Sequence, residues 1–206
     1  MTFVSRGILY LLIQDYSMKE EIPKIHFDSK KSLDIEVMNF PQLLEKLDKI
    51  EDHDPFAVHK IKFFLVLIIT KNSYSHFVDF KPYQLKEGSA LFIAKNQVHH
   101  FTKDLQTSEG ICILFNSLFI NKDYFLSDNL KLNRLYNYHI ETPIIHQKQM
   151  RKDNLIDIAS KLYSEYIFSN RFAKSEILRA LLHVLLLKAE RAKEFKSISV
   201  ALKSIG

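Results

Sequence analysis

The sequence is short of the residues on which most small-molecule chemistry is built. One cysteine, Cys112, stands among 206 residues. That excludes an intramolecular disulfide and a cysteine-rich zinc site, and a reducing cytoplasm is the compartment it predicts. Only four glycines are present, and none belongs to a phosphate-cradling loop. Serines and acids are scattered without a nucleophile-elbow motif. No apolar run reaches the ~20 residues that cross a bilayer. The N-terminal candidate, "RGILYLLI", is short and runs on to Gln14 and Asp15 with no small-residue cleavage site. No export signal and no membrane span are therefore expected. Residues 1–17 are read as a mis-assigned or disordered extension, with synthesis starting at Met18.

What is present suits an ordinary globule of one domain plus a helical appendage: 47% hydrophobic and 26% charged residues. The net charge of +5 is uneven. Residues 171–206 hold eight Lys/Arg against three Glu, while residues 1–170 hold 21 of each sign. A solvated helix face is the simpler reading of that basic stretch, and a weak attraction to nucleic acid the other.

Strands and helices separate along the chain. "LDIEV" (33–37) alternates as a half-buried strand. In "NFPQLLEKL", Asn39 as N-cap and Pro41 in the first turn predict a short helix. "EDHDP" (51–55) is a polar break. Five extended runs follow: "FFLVLIIT" (63–70), "YSHFVDF" (74–80, closed by Lys81-Pro82), "ALFIA" (90–94), "VHHF" (98–101) and "GICILF" (110–115). Their short, regular spacing predicts an antiparallel sandwich or barrel. The pattern becomes helical or irregular from residue 118. Leu155, Ile158, Ala159, Leu162 and Tyr166 form one helical stripe, capped by Asp153 or Asn154. A long helix over 173–196 has a possible capping box at Ser175.

That last helix is apolar over far more than one ~100° stripe. Leu178, Leu182, Leu185 and Ala189 are spaced four, three and four residues apart, with Leu181 on their flank, and this coiled-coil-like seam predicts a homodimer. The competing possibility is that the whole helix packs within its own chain.

Adjacent His99 and His100 must point to opposite faces of a regular strand. A histidine after "GSALFIAKNQVH" resembles the cupin architecture. Metal-binding cupins pair an H-x-H motif and an acid with a third histidine from a second motif. Here "VHKIKFFLV" offers His59 but Ile61 at the second position, and no acid follows. Two or three neutral ligands without a carboxylate make a poor iron or manganese site, so no metal and no other cofactor are expected. Cys112, inside "GICILF", is read as an inert buried thiol.

"DHDPFAVHKIKFFLVLIITKNSYSHFVDFKPYQLKEGSALFIAKNQVHHF" resembles the N-terminal effector domain of AraC-type transcriptional regulators. The family elements appear in order as His59, "FFLVLIITKN", "HFVDFKPYQLKEG" and "LFIAKNQVH". "GICILFNSLFI" resembles the following strand and "EILRALLHVLLLKAERAKEF" the closing helix, so the resemblance spans residues 20–196. Asn96 stands where the family has a turn glycine, and Ile61 where a histidine is frequent. The resemblance implies an α+β, mainly β fold: a small antiparallel cupin-like (jelly-roll) barrel over 18–118, a helical connection and two antiparallel helices over 119–196, and a tail over 197–206. It implies a cytoplasmic, non-enzymatic sensor that binds a small-molecule effector near His59, Phe64, His76, His99 and Phe101 and dimerises through its C-terminal helix. DNA would be read only through a helix-turn-helix domain that these residues do not contain. A metal-dependent cupin enzyme is the alternative.

Overall fold

A computed structural model describes residues 22–27, 33–51, 54–120, 142–150, 153–168 and 172–203. The expected extension over 1–17 and most of the connection after residue 118 lie outside the described residues. Ten strands are described: β1 (Lys24–Ile25), β2 (Ile35–Asn39), β3 (His59–Ile61), β4 (Phe64–Lys71), β5 (Ser73–Val78), β6 (Lys81–Lys86), β7 (Ala90–Ile93), β8 (Val98–His100), β9 (Glu109–Phe115) and β10 (Ile144–Ile145). The helices are α1 (Phe40–Leu47), α2 (Leu155–Ile167) and α3 (Lys174–Lys203).

The strands form two five-stranded sheets, β1-β3-β8-β5-β6 and β10-β7-β4-β9-β2. The fold is thus α+β and mainly β. It is an open sandwich, however, and not a closed barrel. All pairs are antiparallel except β1 with β3.

Side-chain alternation in β4 divides the interior in two. Val66 and Ile68 join a core shared with α2 and α3. Leu65, Leu67 and Ile69 join a second core between the sheets. A strand covered on both faces has no polar side, which is why "FFLVLIIT" reads as one continuous apolar run. β9 repeats the pattern: Ile111 and Ile113 face the helices, Cys112 and Leu114 the space between the sheets.

Helix α1 begins as expected. Asn39 Oδ1 accepts from the Gln42 N–H at 2.9 Å and Gln42 Oε1 accepts from the Asn39 N–H at 3.1 Å, a reciprocal cap. Phe40 seats on Gly110 of β9, where a Cβ would collide with its ring and with the Ile68 carbonyl. The absent side chain is what lets α1 close down on the sheet.

Three boundaries differ from the sequence reading. The run over 74–80 does not end at Lys81-Pro82. Asp79 and Phe80 form the turn, with φ 48° and 62°, and Pro82 lies in β6 at a sheet edge, where its missing N–H costs no ladder bond. Asp79 earns this position through its carboxylate, which accepts from the Gln97 side chain at 2.8 Å and the Val98 N–H at 3.2 Å. Ser175 does not cap α3, which already begins at Lys174 after Ala173 at φ 57°. The helix also continues to Lys203, through most of the expected tail.

The leucines of α3 are consumed inside the chain. Leu178, Leu182, Leu185 and Ala189 are fully buried against α2 and the sheet, so in this packing they offer no surface to a second copy. Leu181 is only half-buried. It flanks Ile177 and Val184, which are 41% and 44% exposed.

Candidate functional site

The inner face of the β1-β3-β8-β5-β6 sheet carries polar side chains where its partner sheet carries only apolar ones, apart from Glu36. Register places them. His59 pairs with His99 across β3 and β8, and Val78 pairs with His99 across β5 and β8. His76, two residues from Val78, therefore lies diagonally beside His99 on the same face. All three histidines are buried. His100 points the other way and stacks on Phe77 at 4.5 Å.

These rings form a chain of contacts. The Tyr74 hydroxyl lies 2.9 Å from His76 Nδ1, and His76 Nε2 lies 3.1 Å from His99 Nδ1. The His59 ring sits edge-on to His99 at 4.4 Å, and its Nδ1 donates to the Ala57 carbonyl at 2.9 Å. Phe101 packs edge-on to His76 and His99 at 5.3 and 5.6 Å. His99 Nε2 is buried with no hydrogen-bond partner.

Burial governs the charge of these groups. Loss of water pushes His76 down to about 3, helped by the neighbouring His100 and His59. His99 is held well below the ordinary histidine range, by burial first and then by His76, His59 and His100. Both are neutral at physiological pH. Burial also raises the Tyr74 phenol and the Cys112 thiol, so neither is a nucleophile.

Beside this cluster, between the two sheets and beneath α1, is a cavity of about 140 Å³. His59, His99 and Phe101 line it together with Ile61, Phe63, Leu65 and Leu114. The opposite wall carries Glu36 and Lys46, paired at 2.6 Å. Of the five residues expected around a ligand, three line this space. His76 stands behind His99. Phe64 is a correction: it faces the helices, stacked on Phe115 at 5.3 Å, and its neighbours Phe63 and Leu65 take the cavity side. Glu36 and Lys46 were missed. The acid within "LDIEV" was the available signal, because it alternates onto the inner face of a strand whose helical neighbour carries a lysine.

The histidines do not suit a metal. His76 Nε2 and His99 Nδ1 turn toward each other, and His59 uses Nδ1 on a carbonyl. Among the described residues no cluster of three or more His, Cys, Asp or Glu could hold an ion. Nor is any helix among them long and apolar enough to cross a membrane.

No protein-family model matches the chain, and no curated protein does. Solved structures give distant likenesses. An apo form of ToxT from Vibrio cholerae has a TM-score of 0.42 at 16% identity, over 83% of this chain and 58% of that one. Wild-type ToxT bound to an unsaturated fatty acid gives 0.41 at 15%, over 81% and 54%. Oxalate decarboxylase from Bacillus subtilis gives 0.24 at 11%, over 44% and 30%. The chain thus spans under two thirds of the length of each of these structures.

Proposed function

We propose that this chain is the effector-binding domain of an AraC-type regulator: a binding module, not an enzyme, that takes a small molecule into the cavity beneath α1. The observation that carries the reading is the cavity itself, apolar on most sides and floored by the buried His59 and His99, in the segment where the sequence resembles that family. Among the described residues, burial leaves the Cys112 thiol and the Tyr74 phenol protonated and unactivated.

The architecture supports a route for the signal. Strands β2, β4 and β9 present one set of side chains to the cavity core and the alternate set to α2 and α3. A ligand that favours one spacing of these layers over another shifts the helices with it. Self-association belongs to the same reading. Ile177, Leu181 and Val184 are the α3 surface proposed for it, in place of the buried seam.

A thermal-shift screen of small metabolites tests the proposal, because a ligand specific to the folded state raises the melting temperature. Stoichiometric iron, manganese or zinc in the purified protein would favour the cupin enzyme instead. The chain alone should give no sequence-selective DNA shift. Any weak association through its basic C-terminal stretch should fade with salt.

A further inference from the structure

Buried polar atoms are nearly always hydrogen-bonded. His99 Nε2 is not, although Nδ1 of the same ring is held by His76. His99 is 1% exposed and lines the cavity. One polar atom is therefore left over at the wall of a mostly apolar space.

Size and charge narrow what can sit there. The volume, about 140 Å³, is close to the ~150 Å³ of an engineered apolar cavity that takes up benzene. The carboxylate and the ammonium on the wall pair with each other, Lys46 holding Glu36 at 2.6 Å. His99, held neutral by burial, adds no charge. An anionic ligand would have to compete with the buried Glu36 carboxylate for Lys46, an unfavourable exchange. A hydrocarbon would leave His99 Nε2 unsatisfied.

Resting on the effector-binding reading above, we propose that the cavity selects an uncharged, ring-sized molecule carrying one hydroxyl, and that this hydroxyl hydrogen-bonds His99 Nε2. The relay behind His99 explains why a hydroxyl fits. A neutral imidazole carries one N–H and one lone pair. If Tyr74 donates to His76 Nδ1, then His76 Nε2–H donates to His99 Nδ1 and His99 Nε2 offers a hydrogen. If the chain runs the other way, His99 Nε2 offers a lone pair. A hydroxyl, both donor and acceptor, matches either state.

Three probes of one ring size separate the possibilities: phenol, benzene and benzoate, titrated at pH 7.5 into the full chain. Melting temperature and the nitrogen-15 resonances of the imidazole rings are followed. Phenol should bind about tenfold more tightly than benzene, the value of one hydrogen bond, and benzoate more weakly than either. The His99 Nε2 resonance should move with phenol and stay in place with benzene. In His99→Phe the advantage of phenol over benzene should vanish. If that variant does not fold, the wild-type resonances alone decide. Equal binding of phenol and benzene, a preference for benzoate, or phenol binding that leaves His99 Nε2 unmoved would each overturn the inference while leaving an effector site standing. Failure of all three probes to bind would overturn the inference, and the effector reading would then stand or fall on the metabolite screen.

Discussion

The five strands that carry Val66 and Cys112 are buried on both faces, whereas the five that carry His76 and His99 are buried mainly on one. The first sheet is pressed between α2 and α3 on one side and its partner sheet on the other, and its inner strands are almost entirely apolar. The second shows water alternate residues such as Ser75 and Phe77. On its inner face it holds Tyr74, His76 and His99, each buried. A sheet that closes two cores has little tolerance for a polar atom. A sheet that closes one can place a hydrogen-bonded polar row inward, because the row is satisfied along its own strands. The polar row is what makes the space between the sheets chemically specific.

The sharpest way to break the comparison is to put the same charge into each sheet. Val66→Asp buries a carboxylate with no partner and should cost of the order of 5 kcal/mol, the whole stability of an ordinary domain. Phe77→Asp, on the half-exposed outer face, should leave a cooperative urea transition in place. Circular dichroism against urea reads both. The two sides of α3 differ in the same way. Leu182→Glu should unfold the chain, while Val184→Glu should change stability by less than about 0.5 kcal/mol. Sedimentation of the folded Val184 variant then asks whether this strip holds two copies together. A folded Leu182→Glu monomer would return the seam to the dimer.

The ion pair between the sheets is lopsided, because the Glu36 side chain is 3% exposed and that of Lys46 43%. Lys46→Met takes a cation from the buried carboxylate and should cost about 3 kcal/mol in chemical denaturation. Glu36→Gln leaves a lysine that can turn to water and should cost markedly less. Equal losses would mean the pair is not asymmetric.

Acid should find the polar row before it finds the apolar sheet. His76 has a folded value of about 3 against 6.5 for the free side chain. Between those values the unfolded chain binds a proton that the folded chain refuses. Stability is therefore complete above pH 6.5 and declines as pH falls toward 3, by about 1.4 kcal/mol per pH unit for each such histidine. His99 shifts in the same direction, so replacing either by Phe should flatten the acid limb in melts from pH 7 to 4. The smallest effect lies at the β5–β6 turn. Phe80 is 70% exposed at φ 62°, so Phe80→Gly should stabilise by about 0.5–1 kcal/mol in a thermal melt.

Much of this was legible in the sequence, and the failures have physical causes. "ALFIA", "GICILF" and the Asn39 cap announced themselves through apolar runs and a polar start. Opposite faces for His99 and His100 followed from strand geometry alone. Phe64 was misplaced because a strand buried on both sides has no polar residue to fix its phase. The α3 seam was read as an interface for a related reason: a helix buried over a wide arc looks the same whether another chain or its own sheet covers it. The turn at Asp79-Phe80 was hidden because neither residue is glycine and Pro82 next door drew the boundary. Lys46 was invisible as a cavity residue because its role depends on Glu36, ten positions away and on a different element.

Cys112 gives the fold a clock. It is the only thiol in the chain and lies fully buried on the inner face of β9, opposite Leu67 of β4 and Met38 of β2. Burial keeps it protonated as well as hidden, so a disulfide reagent in solution reacts only during moments when these strands part. When reclosing is fast, the labelling rate is the intrinsic rate multiplied by the fraction of time spent open. A single native atom thus converts the breathing of the innermost strands into a measurable lifetime. An occupant of the cavity that favours the closed form would lengthen it.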